Sequence, residues 1–159
     1  MILVVGATGQ LGGLIAQTLL DEGFHVRVLV RERSAYDAIV SAGAEPVTGD
    51  LKDPPSLLAA CAGIDTVVTT ANSSARGGSD TVDSVDRIGN RNLIEAAVDA
   101  GVRRFVFVSN LGASPDSPIA FMAAKGETEQ LLRSSGMFWT IIQPNLFMDK
   151  LPVMVVGVP

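Results

Sequence analysis

The sequence is poor in the residues that build disulfide frameworks, metal clusters and aromatic sites. Its 159 residues include one cysteine, one histidine, one tyrosine and one tryptophan. Cys61 has no second cysteine for an intramolecular disulfide, and His25 is the chain's one histidine, whereas metal sites need clusters. We therefore expect no disulfide framework and no bound metal.

Clustered positive charge and long apolar runs are also lacking. The net charge is -5 and the basic residues are scattered, which argues against a nucleic-acid surface. No apolar run reaches the roughly 18–20 residues of a membrane-spanning helix, and the opening MILVV is too short a run for a signal peptide. We expect a soluble, cytoplasmic protein that binds neither nucleic acid nor membrane.

What is abundant is apolar material for a core. Hydrophobic residues make up 47% of the chain and charged residues 18%, which is not the composition of a disordered chain. The length suits one domain of ordinary size. We expect residues 1–159 to form a single domain.

Short runs rich in valine and isoleucine alternate with helix-like stretches along the chain. Most of these runs are apolar on both faces, which is typical of parallel strands covered by helices on both sides. The alternation predicts the α/β class, with a doubly wound parallel sheet of about six strands and right-handed crossovers. The predicted strands are Ile2–Val5, Val26–Val30, Glu45–Thr48, Thr66–Thr70, Arg104–Val108 and Trp139–Ile142, and the predicted helices are Leu11–Glu22, Ala35–Ser41, Pro55–Ala62, Thr81–Ala100 and Ile119–Ser135.

A glycine-rich loop, GATGQLG, joins the first predicted strand to the first helix. In such a loop one glycine permits a tight turn, one lets backbone approach a pyrophosphate, and one lets helix and strand pack closely. The helix N-terminus adds N–H groups and partial positive charge for phosphates. This context predicts dinucleotide binding, and the alternative is a turn that merely allows tight packing. The predicted cofactor-binding residues of the loop are Gly6, Ala7, Thr8, Gly9, Gln10, Leu11 and Gly12.

The Gly-x-x-Gly-x-x-Gly spacing resembles the extended and atypical short-chain dehydrogenase/reductases, and most closely the NmrA-like family. The likeness covers essentially the whole chain and implies a Rossmann-type fold that binds a nicotinamide cofactor. Proteins of this family continue further and build the substrate pocket there, so we expect either a truncated or fragmentary chain with the cap largely missing, or a chain that borrows surface from a partner. The apolar end LPVMVVGVP is expected to favour self-association. Further matching stretches are LVR (29–31), GDLKDPPSL (49–57), NLIEAAVDAGVRRFVFVS (92–109), Lys125 and TIIQPN (140–145).

The end of the second strand predicts which nicotinamide cofactor is bound. A carboxylate there would bind the ribose 2′-hydroxyl of NAD, whereas an arginine suits the 2′-phosphate of NADP. Arg31 follows this strand, and its planar guanidinium matches phosphate geometry. We therefore expect NADP(H). NAD remains the alternative, because Glu32 lies one residue further on.

Two further strand ends are predicted to line the cofactor. In the family that the chain resembles, the residues at Asp50 and Leu51 contact the adenine ring, and a strand-end carboxylate can accept a hydrogen bond from the adenine amino group. Asp50 can also cap the following turn. Thr70, Ala71 and Asn72 leave the fourth strand at the same carboxyl edge, where ligands of such sheets bind.

The catalytic residues of the short-chain family are only partly present. That family uses a serine together with a tyrosine four residues before a lysine. Lys125 is present and is expected to face the nicotinamide ribose, but Phe121 stands in the tyrosine's place and the chain's one tyrosine, Tyr36, lies elsewhere. Ser109 is the candidate serine, and the alignment does not choose between it and Asn110.

Both catalytic candidates also have structural readings. Lys125 could be a solvated helix residue paired with Glu129 at i+4, and Ser109 could cap the loop after its strand. Hydride transfer to a quinone or a conjugated double bond can draw its proton from water or substrate, so the missing tyrosine does not exclude it.

Two function classes follow from these patterns. The first is an NADP(H)-dependent oxidoreductase acting on a small carbonyl, quinone or flavonoid-like compound. The alternative is a non-catalytic nicotinamide sensor of NmrA type that regulates a protein partner. A nucleotide-sugar epimerase or dehydratase is a third reading, which the absent Tyr-x-x-x-Lys motif argues against.

Overall fold

The computed structural model describes residues 1–74 and 77–145 of the chain. These residues form alternating strands and helices, with a π-helix (Val82–Gly89) directly before α4. The strands are β1 (Ile2–Val5), β2 (Val26–Val30), β3 (Glu45–Thr48), β4 (Thr66–Thr69), β5 (Arg104–Val108) and β6 (Phe138–Ile142), and the α-helices are α1 (Gln10–Asp21), α2 (Asp37–Ser41), α3 (Pro54–Cys61), α4 (Asn90–Asp99) and α5 (Ala120–Arg133).

The strands form one parallel sheet in the order β3-β2-β1-β4-β5-β6. The strand order reverses between β1 and β4, which pair in register from Ile2 opposite Thr66 to Val5 opposite Thr69. In open α/β sheets, ligands bind outside the carboxyl ends of the strands at such a reversal. The predicted Rossmann-type, doubly wound sheet is confirmed.

The core is divided between the two faces of the sheet because successive side chains of a strand point to opposite sides. Leu3 and Val5 of β1 lie in one apolar cluster with Leu57 of α3 and Leu93 of α4. Val4 lies in a second cluster with strand valines and Ala16 of α1. Burying each such aliphatic side chain stabilises the fold by roughly 1.5–3 kcal/mol, so both helical layers are held to the sheet.

The predicted helix Thr81–Ala100 differs in kind from the structure. Its first half is a π-helix, which ends where the N–H of Asn90 donates to the carbonyl of Val85, five residues earlier. The buried side-chain amide of Asn90 donates 3.1 Å to the carbonyl of Asp86. This bond satisfies a carbonyl in the segment where the regular i to i+4 ladder is broken.

The remaining elements agree with the sequence prediction to within about two residues at each end. The predicted apolar end, residues 151–159, lies outside the described residues. Within the described ranges, none of the helices has the length and apolar character needed to cross a membrane.

Candidate functional site

A groove runs along the carboxyl edge of the sheet at the reversal of strand order. A cavity of about 210 Å³ forms one part of it, and a smaller cavity of about 40 Å³ forms another. Gly6 and Ala71 line both cavities, so the two are adjoining parts of one site. The larger cavity is also lined by Gly9, Gln10, Leu11, Gly12, Thr70, Asn72, Ser74, Val108, Ser109, Asn110, Phe121, Lys125 and Pro144.

The glycine-rich loop brings β1, β4 and α1 closer together than side chains would allow. Gly6 has a φ of +94°, and a Cβ there would lie 2.6 Å from Thr70 Oγ1. A Cβ at Gly12 would overlap the carbonyl of Gly6 and lie 2.8 Å from the same Thr70 oxygen. Two of the three glycines are therefore required by the fold itself.

The first turn of α1 faces the larger cavity. Gly9 is the N-cap residue and supplies no side-chain hydrogen bond to the first turn, while Gly9, Gln10 and Leu11 line the cavity. Helix N-termini carry partial positive charge and N–H donors suited to phosphate groups. Since Gly9 carries no side chain over this turn, backbone and a pyrophosphate can approach closely, and the site fits a dinucleotide.

The smaller cavity gathers residues from the ends of β2 and β3. Arg31, Asp50 and Leu51 line it together with Thr8 of the glycine-rich loop. Asp50 Oδ1 accepts a 2.9 Å hydrogen bond from the backbone N–H of Lys52, so the predicted turn-capping role of this carboxylate is present.

Arg31 meets an acidic partner that its neighbours in the sequence do not predict. Its guanidinium donates 2.7 Å to Oδ2 of Asp80, while the ammonium of Lys52 donates 2.6 Å to the other carboxylate oxygen. The hydrogen bond from Lys52, together with that from Arg31, holds the pKa of Asp80 below its usual range despite the opposing effect of burial. One carboxylate thus bridges two cations at the wall of the smaller cavity.

Lys125 is a buried cation in the wall of the larger cavity. Its side chain is 2% exposed, and Nζ donates 3.2 Å to the carbonyl of Val108. The ammonium lies 4.7 Å from the ring centroid of Phe107 and 5.4 Å from that of Phe121. Burial lowers the pKa of Lys125 to about 8, against the opposing charge of Asp86. Lys125 is therefore not a solvated helix residue paired with Glu129.

Ser109 is engaged by a buried carboxylate twenty residues away in the sequence. Its hydroxyl donates 2.5 Å to Oε1 of Glu129 on α5. Glu129 also accepts a 2.8 Å bond from Gln143 and a 3.3 Å bond from Arg133. Because the hydroxyl hydrogen of Ser109 is directed at Glu129, it is not directed at a ligand in the cavity.

A second buried carboxylate faces the interior behind Lys125. Asp86 is fully buried, and its Oδ2 accepts from both the backbone N–H and the hydroxyl of Ser73. Among the described residues, Asp86 Oδ1 and Asn90 Oδ1 have no hydrogen-bond partner. These acceptors and the ammonium of Lys125 form a buried polar region where the π-helix packs against α5.

The structure gathers almost all of the predicted site residues at one edge. Ala7 differs, because it is 5% exposed, packs in the apolar core and lines neither cavity. Lys52, Asp80 and Glu129 were not predicted. Lys52 follows the predicted pair Asp50–Leu51 directly, whereas Asp80 and Glu129 reach the site through tertiary contacts that local patterns do not encode. Within residues 1–74 and 77–145, no group of histidine, cysteine and acidic side chains could hold a metal ion.

Comparison with known proteins gives consistent results. The model of a family described as NAD(P)H-binding matches residues 6–156. The chain is 36% identical over 152 residues to an NAD(P)H azoreductase from Xenophilus azovorans, covering 95% of this chain and 50% of that protein. It is 39% identical over 142 residues to the photosystem II assembly factor Ycf39 from Cyanophora paradoxa, covering 89% of this chain and 44% of that protein.

The fold is also similar to solved structures. The Citrobacter sp. triphenylmethane reductase complexed with NADP(H) superposes with a TM-score of 0.78 and 27% identity, over 95% of this chain and 51% of the reductase. The chain thus spans about half the length of these proteins.

Proposed function

This chain belongs to the NAD(P)H-binding family, in its NmrA-like branch of atypical short-chain dehydrogenase/reductases, and on that premise we propose that it binds NADP(H) and transfers hydride to a small conjugated acceptor. The substrate class is a carbonyl, quinone or flavonoid-like compound. Residues 1–159 act in this proposal as one nucleotide-binding domain.

The observation that carries this proposal is the glycine cradle at the N-terminus of α1. The atoms around Gly6 and Gly12 leave no room for a side chain at either position. The first turn of α1 opens into the larger cavity. Such an arrangement supports pyrophosphate binding between the two halves of the groove. The adenosine half then lies towards Arg31 and the nicotinamide half towards Lys125.

Each end of the groove has residues suited to its part of the cofactor. Arg31 suits the 2′-phosphate of NADP, and Asp50 with Leu51 suits the adenine. Thr70, Ala71 and Asn72 line the larger cavity, and Ala71 also lines the smaller one. NAD remains the alternative cofactor, since Arg31 already has an acidic partner and Glu32 is adjacent. The complex of the related triphenylmethane reductase with NADP(H) supports NADP(H) as the cofactor.

The cofactor would supply the hydride, and the protein supplies orientation. Lys125, held by the carbonyl of Val108, binds the nicotinamide ribose in this proposal. Phe121 cannot donate a proton, and the hydroxyl of Ser109 is directed at Glu129. The proton that follows hydride transfer therefore comes from water or from the substrate. Acceptors such as quinones tolerate this because the reduced product exchanges protons with water.

The names of the related azoreductase and triphenylmethane reductase favour a conjugated acceptor. The test is to add NADPH to the chain with a panel of quinones, azo compounds, flavonoids and simple aldehydes, and to follow loss of NADPH. Binding should be measured in the same samples. Turnover with at least one conjugated acceptor is expected, and binding without turnover across the panel contradicts the catalytic proposal.

A second candidate function is a nicotinamide sensor that regulates a protein partner. Phe121 in place of the family tyrosine favours it, as does the similarity to Ycf39, which is named an assembly factor. A sensor binds NADPH and NADP with different affinities and consumes neither, so the acceptor panel separates the two candidates. A cytoplasmic location and self-association through the apolar end stay predictions.

A further inference from the structure

A carboxylate between two cations closes the adenosine end of the groove. Asp80 contacts Arg31 at 2.7 Å and Lys52 at 2.6 Å. Its side chain is 9% exposed, whereas those of Arg31 and Lys52 are 44% and 33% exposed. The two cations therefore retain solvent-facing surface, and Arg31 lines the smaller cavity together with Asp80.

Asp80 is held in place by its own backbone. Gly77 and Gly78 both have positive φ angles, of 72° and 63°, and the N–H of Asp80 donates 3.3 Å to the carbonyl of Gly77 across this turn. On the other side, Thr81 and Ser84 form a reciprocal capping box at the start of the π-helix. The carboxylate therefore bridges the cations from a fixed point on the chain.

From this geometry we propose that Lys52 is a second cation for the 2′-phosphate of NADP(H), and that Asp80 competes with that phosphate for both Arg31 and Lys52. The inference rests on the cofactor binding proposed above. A nucleotide 2′-phosphate carries about -1.5 to -2 charges near pH 7, more than the single charge of Asp80. It can therefore take up the exposed donors of both cations, but the nearby carboxylate opposes it.

The competition has a direct consequence for cofactor preference. NAD(H) has a neutral 2′-hydroxyl and needs neither cation, so it leaves the bridge intact. NADP(H) must draw the two cations towards its phosphate while Asp80 remains beside them. Asp80 thus reduces the preference for NADP(H) that Arg31 and Lys52 create, and it sets how strongly the protein discriminates between the two cofactors.

The chain contains a matched control at the opposite edge of the sheet. Asp65 precedes β4 and bridges Arg103 and Arg104 in the same way, with contacts to both guanidinium groups. Hydrogen bonds from Arg103 and Thr66, together with the charges of both arginines, lower the pKa of Asp65. Asp65 lines neither part of the groove. Asp65→Asn therefore removes an equivalent bridge away from the cofactor.

The test measures dissociation constants of NADPH and NADH for the chain and its variants by calorimetry. Asp80→Asn should tighten NADPH at least about threefold and leave NADH within about twofold. Lys52→Met should weaken NADPH about tenfold, the equivalent of about 1.4 kcal/mol, with NADH unchanged. Asp65→Asn and Arg104→Met should change neither constant.

The outcomes separate this inference from the proposal on which it rests. If NADPH binds and Arg31→Ala weakens it, but Asp80→Asn leaves NADPH binding unchanged or weaker, competition by Asp80 is wrong. An unchanged NADPH dissociation constant in Lys52→Met would show that Lys52 is not a second cation for the 2′-phosphate. If the unaltered chain binds neither cofactor, the proposed function fails and the inference fails with it.

Discussion

At the scale of single residues, Lys125 is the side chain whose environment is least favourable to its charge. It is nearly inaccessible to solvent, and its hydrogen bond to a carbonyl and two aromatic rings replaces hydration only in part. A buried charge is tolerated when function requires it. Its position in the wall of the larger cavity supports a role at the nicotinamide ribose.

Replacement of this lysine should stabilise the fold at neutral pH. Because burial lowers the pKa of Lys125 from 10.5 to about 8, the unfolded chain binds more protons than the folded chain between these values. Unfolding free energy therefore rises with pH through this window. We expect Lys125→Met to raise stability at pH 7 by about 1–3 kcal/mol and to remove this part of the pH dependence.

Urea unfolding of the chain and of Lys125→Met across the range from about pH 7 to about pH 10.5 measures this difference. The gap between the two proteins should close as pH rises. A gap that stays constant with pH would show that the lysine is not desolvated in the folded state. NADPH binding by the same variant should weaken, since the proposed ribose contact is lost.

Ser109 presents the opposite case, a residue whose contacts indicate a structural role. Ser109→Ala leaves the buried carboxylate of Glu129 without its 2.5 Å donor. The loss of a hydrogen bond to a buried charge costs about 1–3 kcal/mol. We expect that loss in unfolding experiments together with an NADPH dissociation constant within about twofold of the original. A variant of normal stability that fails to turn over acceptors would instead assign Ser109 to catalysis.

At the scale of elements, the junction of β1 and α1 depends on glycine for a steric reason. The Cβ of an alanine at residue 12 would overlap the carbonyl of Gly6, whereas the Cβ of an alanine at residue 9 would lie 3.3 Å from the same carbonyl oxygen. Gly9 also has an ordinary φ of -90°. The two positions therefore differ in packing, although both lie in the GATGQLG loop.

Gly12→Ala should consequently destabilise the chain by more than about 2 kcal/mol, through forced backbone movement. Gly9→Ala is the matched control and should cost less than about 1 kcal/mol. Thermal or urea unfolding compares them. Equal losses at the two positions would contradict the close approach of α1 to the β1–β4 edge.

The elements also show how far the sequence determines this molecule. Runs rich in valine and isoleucine predict the inner strands β1, β2 and β4, because a parallel strand buried on both faces is largely apolar. This reason does not apply to the edge strands β3 and β6, which are mostly exposed. The π-helix was not predicted, since its apolar pattern is that of an ordinary helix. Asp80 reaches Arg31 from 49 positions away, a contact that no local period or motif encodes.

At the scale of the whole molecule, the sheet order explains why distant segments form one site. The loop after β1 and the residues after β4 meet where the strand order reverses, and β2 and β5 bring Arg31 and Ser109 to the same edge. We propose that this edge binds the nucleotide. The chain spans about half the length of its curated relatives, and its substrate contacts are likewise part of the proposal.

The measurement that tests the account most directly is calorimetric titration of the chain with NADPH and with NADH, repeated for Arg31→Ala. We expect NADPH to bind more tightly, and Arg31→Ala to weaken NADPH about tenfold while changing NADH less than about twofold, because only NADPH carries the 2′-phosphate. Absence of binding by both cofactors, or equal weakening of both by Arg31→Ala, would contradict the assignment of this groove to NADP(H).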